Sequence, residues 1–192
     1  GATAILLETK GMTREELEKN TAAVREAVAE FHTLYPIEFT DRPEEYSKFW
    51  KIRSGVFPSV GGLRPTGTSC LIEDVVFPLE VMPEAVTDLQ KLIAAHGYED
   101  GCIYGHSIEG NFHFIINQNF SNDDEVKRFE ALLDDVVDLV VDKYDASLKG
   151  EHGTGRNIAP FVRREWGEKA YGIMKEVKEL FDPKGLLNKG VI

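Results

Sequence analysis

Two short apolar stretches on either side of Glu109-Gly110 constrain the fold more than any other feature of the sequence. Residues 102–107 and 111–118 each have the length and apolar content of a strand. A glycine-containing reversal between two such stretches is typical of a β-hairpin. The sequence therefore predicts two antiparallel strands that meet at this reversal.

The other elements follow from apolar spacing, capping residues and chain breakers. Strands are predicted at 4–9, 70–78 and 146–150, and helices over about 13–33, 43–53, 83–96, 122–143, 160–166 and 168–180. Residues 54–69 are rich in glycine, proline, serine and threonine and predict a long loop, of a length that is usually functional or disordered. The order predicts an α+β fold: a mostly antiparallel sheet with helices on one face, in ferredoxin-like elements, followed by C-terminal helices and a tail.

Composition excludes several classes of function. The chain has 192 residues, of which 22 are basic and 33 acidic, so its formal charge is −11. Proteins that coat nucleic acid need clustered Lys and Arg, and helices that lie on membranes are usually basic. No apolar run approaches the ~20 residues of a membrane span. We therefore expect no nucleic-acid partner and a cytoplasmic protein, with peripheral attachment to the inner membrane as the alternative.

Cysteine usage and the first residues point to an intracellular fragment. Cys70 and Cys102 are too few for a disulfide framework and do not form a CxxC motif. We expect two free thiols in a reducing compartment. The chain opens on Gly1, without an initiator methionine or a signal peptide, so we expect an excised domain.

The first chemical motif is the pair of histidines that flank the predicted reversal. If Glu109 and Gly110 are the two turn residues, His106 lies directly opposite His113, and their Cβ atoms are ~5 Å apart on one face of the sheet. Two imidazoles in that position would bind one divalent ion. A register slip of one residue would place them on opposite faces. The alternative is that both are ordinary surface histidines without a metal.

The second motif is Glu151-His152, which is flanked by Gly150 and Gly153. Glycines allow a backbone to approach a ligand closely. Glu151 would complete a set of two histidines and one carboxylate, which suits Zn, Mn or Fe(II). His152 would remain as a base, because its ordinary pKa lies near neutrality.

Two arginines, Arg53 and Arg64, bracket the predicted loop at 54–69. Guanidinium groups bind carboxylates through two parallel hydrogen bonds. In an acidic protein, this placement is consistent with capture of an anionic substrate. Ordinary salt-bridged surface arginines are the alternative.

Six segments occur together, in this order, in one known family. They are Phe49-Trp-Lys-Ile-Arg53, Arg64-Pro-Thr-Gly-Thr68, Ile72-Glu-Asp-Val-Val-Phe-Pro78, Gly105-His106 with Gly110-Asn-Phe-His113, Glu151-His152-Gly-Thr-Gly155, and Phe181-Asp-Pro with Leu-Leu-Asn188. The combination resembles the C-terminal substrate-binding (cap) domain of FAD-linked oxidases of the vanillyl-alcohol-oxidase type. Within that group it is most similar to D-lactate and D-2-hydroxyglutarate dehydrogenases, and especially to large bacterial members with a further iron–sulfur region.

The resemblance implies a metal-assisted oxidation of a D-2-hydroxy acid. His106, His113 and Glu151 look like the metal ligands, which would hold and polarise the 2-hydroxyl group. His152 resembles the base that takes the hydroxyl proton while hydride passes to the flavin. The cofactors implied are FAD, bound mainly by another domain, a divalent metal (Zn, Mn or Fe(II)), and a 4Fe-4S cluster elsewhere in the parent protein.

The resemblance also implies binding roles outside the metal set. Arg53 resembles the residue that binds the substrate carboxylate, and Asn111 is expected to support the substrate site. Asn188 resembles a residue that meets the flavin. Residues 1–180 would then form the cap domain, and residues 181–192 a tail that returns to the FAD-binding domain, which is the expected partner.

Three positions depart from the family pattern. Lys189 stands where the family usually has proline, and Ile72 and Ile115 stand where 2-hydroxyglutarate enzymes can carry lysine and asparagine. Contacts to a distal carboxylate are therefore in doubt, unless Arg64 supplies them. Two other functions stay open: a non-catalytic interaction module that forms a homodimer or binds a peptide through its sheet edge, and a small metal-dependent hydrolase.

Overall fold

The computed structural model describes residues 3–191. They form two compact units, which divide between Val56 and Phe57. The first unit contains helices α1 (Arg14–Val28) and α2 (Pro43–Ser54). The second unit contains the sheet and most of the buried core, so it is the part that positions the candidate site.

The first unit agrees with the prediction at the start of α1, but differs from it at the end of that helix and in the segment before it. The hydroxyl group of Thr13 accepts the amide of Glu16, at 3.1 Å, as the capping pattern predicts. The helix ends at Val28, earlier than the predicted residue 33. The strand predicted at 4–9 is wrong, because these residues are irregular and belong to no ladder of the sheet. A short apolar run becomes a strand only when a neighbouring edge pairs with it, and the run alone does not show whether one exists.

The long loop predicted at 54–69 is also wrong, since Val56–Leu63 forms helix α3. Pro58 is compatible with this helix because it lies in the first turn, where backbone N–H groups have no partner within the helix. Arg64 is the first residue after the helix. Its guanidinium group donates to the carbonyl group of Gly61, in the last turn of α3, and to that of Thr68. These bonds satisfy a carbonyl of the last turn.

The sheet has three antiparallel strands, β1 (Thr68–Val76), β2 (Cys102–His106) and β3 (Asn111–Asn119), in the order β1-β3-β2. Side chains alternate between faces along each strand. Phe114 of β3 therefore faces the core, and His113 faces the opposite side together with Asp74, its direct neighbour on β1. The further strand predicted at 146–150 is reduced to one bridge, between Val76 and Ser147.

Helices cover the core face of this sheet. They are α4 (Met82–Ala95) and α5 (Asp123–Val137), and α5 continues as a π-helical segment to Lys143. Their apolar faces pack on Phe114 and Ile116 through side chains such as Leu89 and Leu132, all at most 1% exposed. The α+β fold with helices on one face of an antiparallel sheet is thereby confirmed.

The chain after the sheet supplies one loop and two helices. Residues 149–154 are an irregular segment that leads into the short helix α6 (Gly155–Ile158). Helix α7 (Val162–Phe181) contains both helices predicted for this region and is interrupted at Gly167, whose φ is +73°. Among residues 3–191, no helix is both long and apolar enough to cross a bilayer.

Candidate functional site

The hairpin between β2 and β3 has a different register from the predicted one. Ser107–Glu109 form a turn of 3₁₀ helix, and Gly110 takes the left-handed conformation with φ +65°. His106 pairs with Asn111, and Tyr104 pairs with His113. The shift relative to the prediction is two residues, so both histidines remain on one face although they are no longer directly opposite.

Glu151 approaches the two histidines from the segment after the sheet. Its Oε1 lies 2.9 Å from Nε2 of His113 and 3.3 Å from Nε2 of His106. One potential ligand atom from each of the three residues falls within 4.8 Å of the others. His113 is 3% exposed, whereas His106 and Glu151 are about half exposed, so the group lies at the edge of the molecule's interior. The three predicted ligands thus meet at one place.

Asp74 holds the backbone of the segment that carries Glu151. It is completely buried, and its Oδ2 accepts the amides of Gly150 at 2.8 Å and Glu151 at 2.7 Å. The side-chain amide of Asn111 also donates to Oδ2, at 3.3 Å. From the sequence, Asp74 is assigned to a strand and to one of the six family segments, but to no role in the site. The signal that would have singled it out is an aspartate inside an apolar strand, because a buried carboxylate needs several donors.

His152 lies on top of His113. The two rings are stacked, with centroids 4.6 Å apart and planes 9° apart. Nδ1 of His152 is 3.8 Å from Oδ1 of Asp74, and its Nε2 is 3.8 Å from Oε1 of Glu151. His152 therefore stands beside the three-residue group without belonging to it.

The surroundings hold the buried members of the site in defined charge states. Burial is the main cause that lowers the pKa of His113, and the neighbouring His152 adds to it, so the ring is neutral at neutral pH. Burial by itself would raise the pKa of Asp74. The amides of Glu151 and Gly150, together with Lys149, outweigh burial and hold that pKa below its usual range. A neutral imidazole is the form that binds a metal.

A cavity of about 530 Å³ opens beside His152. Its walls include Phe57, Ile72, Tyr104 and Arg156. Apart from Phe57 and Ile72, most of the side chains that line it are polar or charged. The cavity is large enough for a small hydroxy acid.

Lys149 also lines this cavity, and its positive charge is balanced by two buried carboxylates of β1. Its ammonium group lies 2.5 Å from Glu73 and 3.3 Å from Asp74. Glu73 in turn accepts from the amide of Asn157, at 2.7 Å. These contacts tie the segment after residue 148 to the edge of β1.

The remaining predicted site residues have mixed placements. The amide nitrogen of Asn111 is bonded to Asp74 and to the carbonyl group of Val75. Arg64 is bonded to the carbonyl groups of Gly61 in α3 and Thr68 in β1. Arg53 lies in α2, in the other unit, and Asn188 lies in a turn of the tail with φ +41°. Their binding roles stay predictions.

The donor set is chemically suited to a divalent metal. Two imidazole nitrogens and one carboxylate oxygen are ligands that Zn, Mn and Fe(II) accept. Nδ1 of His113 is buried and has no hydrogen-bond partner among the described residues. Its other nitrogen, Nε2, faces Glu151. The residues present therefore fit a metal at the position between the two Nε2 atoms and Glu151.

The fold brings histidine and carboxylate groups together on one face of an antiparallel sheet, beside a cavity. The family model described as "FAD linked oxidases, C-terminal domain" matches residues 1–192, so the chain belongs to this family. The predicted resemblance to FAD-linked oxidases is confirmed.

Named relatives agree with this family. The chain is 28% identical over 182 residues, 95% of its length, to "D-lactate dehydrogenase [cytochrome], mitochondrial" of Arabidopsis thaliana, of which it covers 31%. It is 27% identical to "Probable D-lactate dehydrogenase, mitochondrial" of Danio rerio, with 98% of the chain and 37% of the relative covered. It is 25% identical to "D-2-hydroxyglutarate dehydrogenase" of Stutzerimonas stutzeri, with 97% and 39% covered. The chain thus spans less than two fifths of the length of these curated relatives.

Proposed function

We propose that this chain is the substrate-binding part of an FAD-dependent dehydrogenase that oxidises a D-2-hydroxy acid, such as D-lactate or D-2-hydroxyglutarate, to the 2-oxo acid. Membership in the FAD-linked oxidase family and the names of the relatives support the reaction class. The observation that carries the proposal is the approach of His106, His113 and Glu151 to within 4.8 Å, beside the stacked ring of His152.

The first task of these residues is to hold a divalent metal. His106 and His113 would bind it through Nε2, and Glu151 through Oε1. The bound metal would supply Lewis acidity, which stabilises negative charge on the hydroxyl oxygen of the substrate. His113 suits this task because burial keeps its ring neutral.

His152 would take the proton of the hydroxyl group at Nε2. Stacking on His113 and the proximity of Asp74 limit the rotation of its ring, so that a substrate in the adjoining cavity meets it in one orientation. FAD would supply the hydride acceptor. We expect most contacts to FAD to lie outside this chain. The chain by itself would then neither retain FAD nor catalyse the oxidation. A 4Fe-4S region in the parent protein stays a prediction.

The test uses the full-length protein that contains this chain. Oxidation of a panel of D-2-hydroxy acids is followed with a dye acceptor, with and without a chelator. We expect turnover with at least one acid, its loss on chelation, and its recovery with Zn, Mn or Fe(II). His113→Ala should remove the bound metal and lower turnover by 10²-fold or more.

His96→Ala is the matched control. His96 is a partly buried histidine of the same unit that pairs with Asp135 at 2.7 Å. It should keep wild-type metal content and turnover. If protein shown to be free of metal still turns over after chelation, the proposed role of the metal is refuted. If no D-2-hydroxy acid is oxidised, the proposed dehydrogenase function is refuted. A dimer or partner complex that is indifferent to metal and to hydroxy acids would favour the interaction module.

A further inference from the structure

Asp74 has one carboxylate oxygen, Oδ1, to which the site described above assigns no hydrogen-bond donor. Oδ2 accepts the amides of Gly150 and Glu151, as described. Oδ1 is buried and accepts no hydrogen bond from any described residue, although Lys149 lies 3.3 Å away. Burial of a charged oxygen without a hydrogen bond destabilises the folded state, so the neighbouring groups indicate which donor this oxygen accepts from.

Two imidazoles lie near this carboxylate. Nδ1 of His152 is 3.8 Å from Oδ1. His113 lies directly opposite Asp74 in the sheet, and one ring nitrogen of each histidine lies within 4.8 Å of an Asp74 oxygen. Because the two rings are stacked, one carboxylate at their edges is able to serve both.

The tautomer of each ring decides whether the proposed chemistry is possible. A neutral imidazole carries one N–H, and only the other nitrogen has a free lone pair. Nε2 of His113 must be bare to bind a metal, so its proton must be on Nδ1, which is buried and without a partner. Metal-binding histidines almost always donate this second N–H to a carboxylate or a carbonyl group.

We infer that Asp74 is a positioning residue whose Oδ1 accepts the Nδ1–H groups of both His113 and His152. This leaves both Nε2 atoms bare, one for the metal and the other for the substrate proton. The distance of 3.8 Å to His152 exceeds that of a charge-assisted hydrogen bond by about 1 Å, and a nitrogen of His113 lies within 4.8 Å of the carboxylate, so both rings must move toward Asp74 to close the two bonds. The inference rests on the proposed function, because it assigns those tasks to the two rings.

Asp74→Asn in the full-length protein separates this role from that of holding the loop. The asparagine oxygen still accepts the amides of Gly150 and Glu151. Its NH₂ group replaces Oδ1 and donates to His152, which favours the wrong tautomer. We expect the affinity for Zn, measured by competition with a chromophoric chelator, to fall 10- to 100-fold. We expect kcat to fall about 10²-fold or more, while KM for the hydroxy acid changes less than about 3-fold.

Glu73→Gln is the matched control. Glu73 is the neighbouring buried carboxylate of β1, bonded to Lys149 and Asn157 and to neither histidine. It should keep the affinity for Zn within about 3-fold, because the ligand tautomers do not depend on it. Equal losses of Zn affinity in both variants, or wild-type behaviour of Asp74→Asn, would overturn the inference.

A second measurement is made on the wild-type protein, so it does not depend on whether Asp74→Asn folds. Nitrogen-15 spectra of the metal-free wild-type protein with labelled histidine, assigned with His113→Gln and His152→Gln, should place the proton on Nδ1 in both rings. A proton on Nε2 of either ring would overturn the inference. Absence of metal binding or of hydroxy-acid oxidation in the wild type would instead refute the proposed function, so the two failures are distinguishable.

Discussion

Gly150 precedes the proposed metal ligand Glu151, and the structure leaves no room for a side chain there. A Cβ atom built at residue 150 would lie 2.8 Å from Cγ2 of Val76 and 3.0 Å from Oδ2 of Asp74, and it would overlap the amide nitrogen of Asn111. The contact with Val76 alone is 0.6 Å short of the 3.4 Å at which ordinary contacts begin. Gly150→Ala must therefore displace the backbone, or the side chains of Val76, Asp74 and Asn111 packed against it, by more than half an ångström.

The expected effect of Gly150→Ala is larger on activity than on stability. Overpacking of this kind costs about 1–3 kcal/mol of folding free energy. A displacement approaching 1 Å moves both Glu151 and His152 and would lower turnover about 10²-fold. The amides of residues 150 and 151 would also move away from Asp74, which now accepts both.

The assay compares kcat, metal content and thermal unfolding of the full-length protein with those of Gly172→Ala. Gly172 lies in α7, and a Cβ atom there meets nothing within 4 Å. That variant should keep full activity and gain about 0.5–1 kcal/mol, since alanine is the better helix residue. Wild-type kcat and metal content in Gly150→Ala would refute the argument that this close approach positions the site.

Two further outcomes follow from the core and the tail. Leu89→Ala removes a completely buried side chain and should lower the free energy of unfolding of the second unit, measured in urea, by about 3 kcal/mol. Lys91→Ala, on the exposed side of the same helix, should lower it by less than about 1 kcal/mol. Equal losses in the two variants would contradict the assigned core. In the tail, Lys178 and the amides of residues 186 and 187 lower the pKa of Asp182 from 3.8 to about 2, so its stabilising effect is complete above pH 4 and is lost as the pH falls toward 2. Hydrogen exchange of these two amides should rise over that range in the wild type and not in Asp182→Asn; the same pH dependence in both would contradict this role.

Local patterns in the sequence predicted much of the fold. The helices that pack on the sheet and the hairpin of β2 and β3 were predicted because apolar spacing and capping residues act within a few neighbouring residues. The errors fell where the outcome depends on a distant partner. The apolar run at 4–9 pairs with no strand, and residues 56–63 form a helix despite their glycines and proline.

The candidate site shows the same division. The sequence by itself predicted that His106 and His113 share a face, and this holds in the observed register because that register differs from the predicted one by two residues and not by one. Only the tertiary structure decided that Glu151, 38 residues further on, meets them, and that Asp74 lies beneath its loop. The physical reason is that strand alternation is a local property, whereas the approach of two segments depends on how the intervening chain packs, which no spacing in the sequence encodes.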